Sequence, residues 1–231
     1  MPDELIVAHS SDLHIGGRWH GGGELHTLRA VLEASSATGA QVLVLAGDVF
    51  DSHRTPARVV AEAGELLRSI AFPVVILPGN HDPATADAVY HHGVFAELEH
   101  VRVLGVNAPD RLVLDALELE ISGVPHTAYA DMAPIVADGA RRARWRVVVA
   151  HGHWVTGPND AHRGWQIHDE TLALLDADYV ALGHWDLAQQ AGDGRVAAYY
   201  SGSPELSRTL NIVRLSDGSV DVRREPLRLD A

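Results

Sequence analysis

Three short apolar runs, set apart by two amphipathic stretches, fix most of what this chain can become. Leu5 to His9, Val42 to Ala46 and Val74 to Leu77 read as strands. Between them, residues 24–38 carry Leu25, Leu28, Val31 and Leu32 at helical spacing, and Pro56 to Ile70 reads as a helix opened by Thr55-Pro56. Strands alternating with helices in this way demand a mainly parallel sheet, because parallel neighbours need a long crossover between them. Further strands are expected at 101–104, 111–115, 117–123, 147–150, 179–182 and 196–200. Two more, 210–215 and 219–225, are joined by the turn Ser216-Asp217-Gly218, and a helix is expected near 131–142. No linker, repeat or low-complexity segment divides the chain, so one α/β domain over residues 1–231 is expected, with two sheet halves.

The carboxyl ends of these strands are where the sequence departs from core composition. Leu5-Ile6-Val7-Ala8 runs into Ser11-Asp12-Leu13-His14, and Val42 to Ala46 into Gly47-Asp48-Val49-Phe50-Asp51. Val74 to Leu77 leads to Gly79-Asn80-His81-Asp82, Val147 to Ala150 to His151-Gly152-His153, and Tyr179 to Leu182 to Gly183-His184-Trp185-Asp186. Ligands of open α/β sheets bind beyond the carboxyl ends of strands, so these groups are expected to converge on one sheet edge, with glycines turning the backbone there. Taken singly most of the motifs are weak, since Asp caps helices and His is common on surfaces, and only Gly-Asn-His-Asp is moderately specific. Their repetition at successive strand ends favours a metal site over chance.

Composition narrows the function classes. A net charge of −13 argues against a tight, nonspecific grip on nucleic acid, which rests on clustered Lys and Arg, although bound cations reverse potential locally. Cysteine is absent, which excludes thiolate chemistry and a disulfide framework and fits a reducing compartment. The acidic start Met1-Pro2-Asp3-Glu4 is unlike a signal peptide, and no apolar run approaches the roughly 20 residues that cross a bilayer. A cytoplasmic protein without membrane association is expected.

The ordered segments HSSDLHIGG, LAGDVFDSHRTP, LPGNHDP, AHGH, YVALGHWD and YYSGSPE resemble the calcineurin-like metallophosphoesterases. Within that superfamily they are most similar to the nuclease subunits that work with SMC-like ATPases in double-strand-break repair. The resemblance implies a four-layer α/β/β/α sandwich, two mixed sheets flanked by helices. It also implies two divalent ions bridged by Asp48. Asp12, His14 and Asp48 would hold one ion, with Asp186 completing its shell; Asp48, Asn80, His151 and His184 would hold the other. Two such ions about 3.5–4 Å apart clamp a phosphate and activate a water as nucleophile. The mixed oxygen and nitrogen donors suit Mn²⁺, with Fe or Zn²⁺ as alternatives, over Ca²⁺. By the same resemblance His81 contacts phosphate and protonates the departing oxygen, and Asp82 is expected to hold the His81 imidazole in the right tautomer.

At one position the chain departs from the family pattern Gly-His-x-His, ending instead Gly183-His184-Trp185-Asp186. A carboxylate there is a harder ligand and biases the first ion toward Mn²⁺ or Fe. The resemblance further implies a phosphodiester substrate, nucleic acid or nucleotide, with an ATPase partner and homodimer formation as open questions; residues 206–231 are too few for the DNA-facing cap such nucleases carry. A phosphomonoesterase or small-nucleotide hydrolase, and a non-catalytic scaffold, stay as alternatives. Among lesser candidates, Asp51 is expected to orient a ligand from outside the metal shell, and His153 to support it similarly. The loop Gly16 to Gly23, with Arg18 and Trp19, is either a phosphate or base contact or a plain connection. His53, His91, His92 and His100 are expected at the surface, and Arg141, Arg142, Arg144 and Arg146 at a solvated helix end.

Overall fold

The computed structural model describes residues 4–17, 25–136, 139–160 and 162–229. The strands are β1 (Glu4–Ser10), β2 (Val42–Ala46), β3 (Val74–Leu77), β4 (Val101–Val103), β5 (Arg111–Leu114), β6 (Leu119–Gly123), β7 (Trp145–His151), β8 (His153–Trp154), β9 (Gln166–Ile167), β10 (Tyr179–Gly183), β11 (Gln189–Ala191), β12 (Ala197–Tyr200), β13 (Thr209–Ser216) and β14 (Ser219–Pro226). The helices are α1 (His26–Ala37), α2 (Ala57–Arg68) and the short α3 (Gly93–Ala96), α4 (Asp169–Ala173) and α5 (Pro204–Ser207). One six-stranded sheet has the order β14-β13-β1-β2-β3-β4 and a second the order β11-β12-β10-β7-β6-β5. Both are mixed. In each, a parallel centre is flanked by antiparallel strands: β13 against β1 in the first, and β5 against β6 and β11 against β12 in the second.

The two sheets pack face to face. Leu5, Val7, Val44, Val75 and Leu77 of the first meet Ile121, Val147, Val149, Tyr179 and Ala181 of the second in one apolar layer. Strand β2 is buried at every position because helices cover its other face, which is why it reads as a continuous apolar run rather than an alternating one. Helix α1 buries Leu28, Val31, Leu32 and Ser35, and α2 buries Val59, Val60, Ala63 and Leu67, each a stripe at helical spacing laid on the first sheet. The outer layer on the second sheet is thinner. It consists of α4, through Leu172, the loop residue Ile135 and Ile167 of the short β9, packed on Val148, Val180 and Tyr200.

The expected helix near 131–142 does not form. Its described residues are irregular, with Pro134 lacking an amide donor and Gly139 weakening helix propensity; Ile135 is nonetheless buried against the second sheet. The arginines that follow are therefore not a solvated helix end. Arg146 is 2% exposed beside fully buried Glu120. Arg141 pairs with Asp176 and Asp178, and Arg144 pairs with Asp217 while lying over the Trp145 ring.

Register brings the strand ends level. Ser10 lies beside Leu45 and Ala46 beside Leu77 in the first sheet, and His151 lies beside Gly183 in the second. The loops leaving these strands therefore start from a common edge. Among the described residues, no helix is long and apolar enough to cross a membrane.

Candidate metal centre

Backbone geometry at this edge is the first sign of a built site. Asp12 (φ 55°), His14 (φ 46°), Asp48 (φ 52°) and His184 (φ 96°) all occupy the left-handed region. Such conformations are uncommon outside glycine, though Asp, Asn and His tolerate them best. They persist where surrounding structure over-determines them, and clustering of this kind is typical of ligand-clamping sites. Here backbone bonds fix them: Asp12 N–H donates to Gly47 O and His14 N–H to Asp48 O, each at 3.0 Å. Asp12 and Asp48 are thereby held side by side.

The side chains converge. Ligand atoms of Asp12, His14 and Asp48 lie within 4.8 Å of one another, and so do those of Asp48, His151 and His184. The two groups share Asp48. Its Oδ2 is 3.1 Å from His151 Nε2 and 4.0 Å from His14 Nε2, while Oδ1 accepts the His81 backbone N–H at 2.8 Å. Asn80 presents Oδ1 to His151 Nε2 at 3.0 Å and to His184 Nδ1 at 3.1 Å. His151 Nδ1 donates to Ala46 O at 2.8 Å, which leaves Nε2 aimed at the cluster, and His126 Nε2 donates to His151 O at 2.9 Å. His184 N–H donates to both Asp12 carboxylate oxygens, at 3.1 and 3.0 Å. Glycines permit this density. A Cβ on Gly47 would overlap the His151 ring at Nδ1, and one on Gly79 would overlap Asp48 Oδ1.

The electrostatics are those of a cluster short of positive charge. Burial lifts the Asp12 carboxyl to about 6, helped by the neighbouring Asp48 charge. Burial would lift Asp48 too, but the charge and hydrogen bond of His151, with His14 and His81 beyond, hold it below the ordinary carboxylate range. Burial opposes the charge on His151, yet Asp48 outweighs it and raises His151 to about 9. His184 goes the other way: burial and then the His151 charge push it to about 3, so it stays a neutral donor. Carboxylate oxygens, an amide oxygen and imidazole nitrogens converging in a buried space fit one or more divalent transition cations, which would take the part a proton on His151 plays here.

A cavity of about 500 Å³ opens beside the cluster, lined by His14, Asp51, His81, Asp186, Ser203 and Glu205 among others. Asp186 is exposed at this rim, outside the two groups sharing Asp48, while its backbone O accepts Ser203 N–H at 3.0 Å. Asp51 Oδ1 lies 3.3 Å from His14 Nδ1, and ligand atoms of His14, Asp51 and His81 form a third group within 4.8 Å of one another. His53 pairs with the Tyr129 hydroxyl, His91 and His92 are exposed, and His100 pairs with Leu67 O. Arg18, Trp19 and the glycines from 21 to 23 lie outside the described residues.

The expected pairing of Asp82 with His81 is overturned. Asp82 is fully buried and turned away: Gly79 N–H donates to Oδ1 at 2.8 Å, and Phe50 N–H and Tyr90 O–H donate to Oδ2 at 3.0 and 2.5 Å. Neighbouring residues in a non-helical turn point to different sides, so one serves the loop and the other the cavity. His81 is exposed on the cavity wall, and its Nδ1 donates instead to the Asp51 carbonyl at 3.0 Å. Sequence reasoning also missed His126 and Tyr90, which carry no motif and act only through contacts distant in sequence.

Comparison with known proteins agrees with this picture. The model for the family described as calcineurin-like phosphoesterase matches residues 5–186. The D subunit of the nuclease SbcCD from Bacillus subtilis (strain 168) is 24% identical over 241 aligned positions, covering 87% of this chain and 61% of that protein. The DNA double-strand break repair protein Mre11 of Archaeoglobus fulgidus is 29% identical, covering 92% of this chain and 54% of that protein. The chain thus spans between half and two thirds of the length of these relatives. Among solved structures, TT1561 of Thermus thermophilus superposes with a TM-score of 0.60 at 12% identity, covering 95% of this chain and 98% of that one, a likeness of fold alone.

Proposed function

The chain belongs to the calcineurin-like phosphoesterase family, metal-dependent hydrolases of phosphoester bonds, and from that premise we propose that it hydrolyses phosphodiesters at a pair of divalent cations, most favourably Mn²⁺, bridged by Asp48. The observation that carries this reading is the sharing of Asp48 by two converging donor groups, Asp12–His14 on one side and His151–His184 on the other. In it, Asp12, His14 and Asp48 would hold one cation at the cavity, and Asp48, Asn80, His151 and His184 would hold the second. Asp186, at the rim, is offered as an outer ligand of the first. When bound, such a pair neutralises phosphate charge and acidifies an attacking water.

This chain's own groups supply the rest. His81 faces the cavity with Nε2, while its Nδ1 proton is committed to the Asp51 carbonyl. A proton on Nε2 would pass to the departing oxygen, and the carbonyl keeps the ring oriented for it. Asp51 positions His14 through Nδ1. Nucleic acid is the substrate class suggested by the nuclease and DNA-repair relatives, and an SMC-like ATPase is the partner class to test with it. Arg141, Arg144 and Arg146 are tied up in ion pairs, so the grip on an anionic strand would come mainly from the metal centre rather than from a basic track.

The test is turnover of bis(p-nitrophenyl) phosphate and p-nitrophenyl phosphate with Mn²⁺, then with chelator, in the parent, Asp48→Asn and His81→Ala proteins. Diester turnover that vanishes on chelation and in Asp48→Asn is expected. His81→Ala should retain bound metal and lose about 10²-fold or more in turnover, the usual contribution of a general acid. Monoester turnover alone would move the substrate class, and absence of both from the metal-loaded protein would overturn the reading.

A further inference from the structure

Beyond the cluster, on the other side of the His184-Trp185-Asp186 loop, lies a second cavity of about 200 Å³. Its lining includes His153, Asp160, Trp185, Gln189 and Tyr200. The two cavities are lined by adjoining stretches of chain. His151 points to the donor cluster and His153, one residue past the intervening glycine, to the second cavity; Asp186 lines the first and Trp185 the second. The His153 ring lies 6.3 Å from that of His184 and 5.7 Å from that of Trp185.

Its chemistry is that of a site for something flat with a polar edge. Trp185 is 37% exposed, an indole held open to solvent rather than used in the core. His153 is only 7% exposed, and its Nε2 lacks a well-formed hydrogen bond, the nearest acceptor being Asp160 Oδ1 at 3.4 Å. Tyr200 forms a fixed floor, its hydroxyl donating to Gly152 O at 2.7 Å and accepting Trp154 N–H at 2.9 Å. Asp160 is likewise anchored through Oδ2 by Thr156, leaving Oδ1 toward the cavity side. Gln189, at the start of β11, is half-buried on the cavity wall. A buried imidazole nitrogen held only by a long contact to Asp160, beside an open aromatic face, favours a ligand that stacks and hydrogen-bonds together. The volume falls below the roughly 300–1,000 Å³ of drug-sized sites and suits a single ring system.

We propose that this cavity is a nucleobase subsite, in which Trp185 stacks the base of a nucleoside-bearing phosphodiester and His153 and Gln189 bind its polar edge while the phosphate lies on the neighbouring centre. The proposal rests on the phosphodiesterase reading and narrows its substrate class to nucleotide esters.

The experiment compares two diesters with one leaving group, methyl p-nitrophenyl phosphate and thymidine 5′-p-nitrophenyl phosphate. In both, water adds to phosphorus and p-nitrophenolate departs, so the comparison isolates the retained group, a methyl or a nucleoside. The parent should prefer the thymidine ester by at least about fivefold in kcat/KM, the lower end of what one stacked base contributes. Trp185→Ala should bring that ratio toward one, Gln189→Ala should lower it, and Trp185→Phe should keep most of it. Equal turnover of the two esters by the parent, or a preference that survives Trp185→Ala, would overturn the subsite while leaving the phosphodiesterase reading intact. If neither ester is hydrolysed, that reading fails instead, and thymidine 5′-monophosphate binding, followed by tryptophan fluorescence in the chelated protein, decides the subsite. Quenching that is lost in Trp185→Phe supports it, and a flat titration removes it.

Discussion

Replacing Asp82 separates a loop anchor from a catalytic partner, because the two roles predict opposite signatures. The carboxylate is wholly buried and accepts from Gly79 N–H, Phe50 N–H and Tyr90 O–H. Burial, and then the charge of Asp48, raise its pKa, so ionisation itself gives it no stabilising advantage at neutral pH. What it supplies is acceptors. Asp82→Ala would leave two buried backbone donors unsatisfied, at about 1–3 kcal/mol each, and remove the Tyr90 bond, worth about 1 kcal/mol. The sum, roughly 3–7 kcal/mol, is a large share of the 5–15 kcal/mol typical of a folded domain. At about 2–4 °C per kcal/mol for a chain of this size, Tm should fall by roughly 6–28 °C. Asp82→Asn keeps one acceptor and sheds the penalised charge, so it should cost less than Asp82→Ala. His81→Ala, which removes an exposed ring with one bond to a carbonyl, should cost under about 1 kcal/mol. Urea and thermal unfolding of chelator-treated protein measure this without interference from metal. Asp82→Ala unfolding with the parent would refute the reasoning. So would Asp82→Asn that is as inactive as His81→Ala yet fully stable, since Asp82 would then act through the imidazole.

The remaining predictions concern the cluster itself. His151 must lose a proton to hold a cation, and its pKa is lifted to about 9. Mn²⁺ affinity should therefore rise about tenfold per pH unit between about 6.5 and 9 and level off above, with proton release measurable by calorimetry; a flat profile would contradict it. In chelated protein the sign reverses. The raised His151 pKa contributes stability in full below about 6.5, and that contribution is lost as pH climbs through 9, so urea midpoints should decline over that range, whereas Asp48, held low, matters only in acid. Gly47→Ala combines a left-handed φ of 89° with a Cβ driven into the His151 ring, while Gly39 has φ 73° and nothing within 4 Å. Both substitutions should cost about 1 kcal/mol of backbone strain, but only Gly47→Ala should also abolish tight Mn²⁺ binding. Asp186→Ala should weaken that binding less than Asp12→Ala, because its carboxylate is exposed at the rim; equal losses by metal titration would make it a direct donor on a par with Asp12.

The sequence was most legible where local pattern and fold agree. The apolar runs that become β1, β2, β3, β7 and β10 announce themselves, and so do the polar residues that follow each. Convergence of Asp12, Asp48, Asn80, His151 and His184 follows from parallel strands ending level. What sequence could not supply were directions and distant partners. Asp82 adjoins His81 in the chain, yet the turn sends it under the loop toward Phe50 and Tyr90. Four arginines close in sequence resemble a basic patch until Glu120, Asp176, Asp178 and Asp217 arrive from elsewhere in the chain. The left-handed backbone at Asp12, His14, Asp48 and His184 has no signature in composition beyond residue types that tolerate it.

One consequence follows from where the donors come from. Asp12, Asp48 and Asn80 leave strands of the first sheet, and His151 and His184 leave strands of the second. The sheets otherwise meet largely through apolar side chains, which resist separation but do little against sliding. A cation held from both sides would act as a rivet across that seam, locking the register of one layer on the other. Loading at a hundred times Kd would add about 2.7 kcal/mol to the intact assembly. Stripping the metal would first free the two layers to shear, so amide exchange should quicken along the facing ends of β2 and β7 before either sheet comes apart.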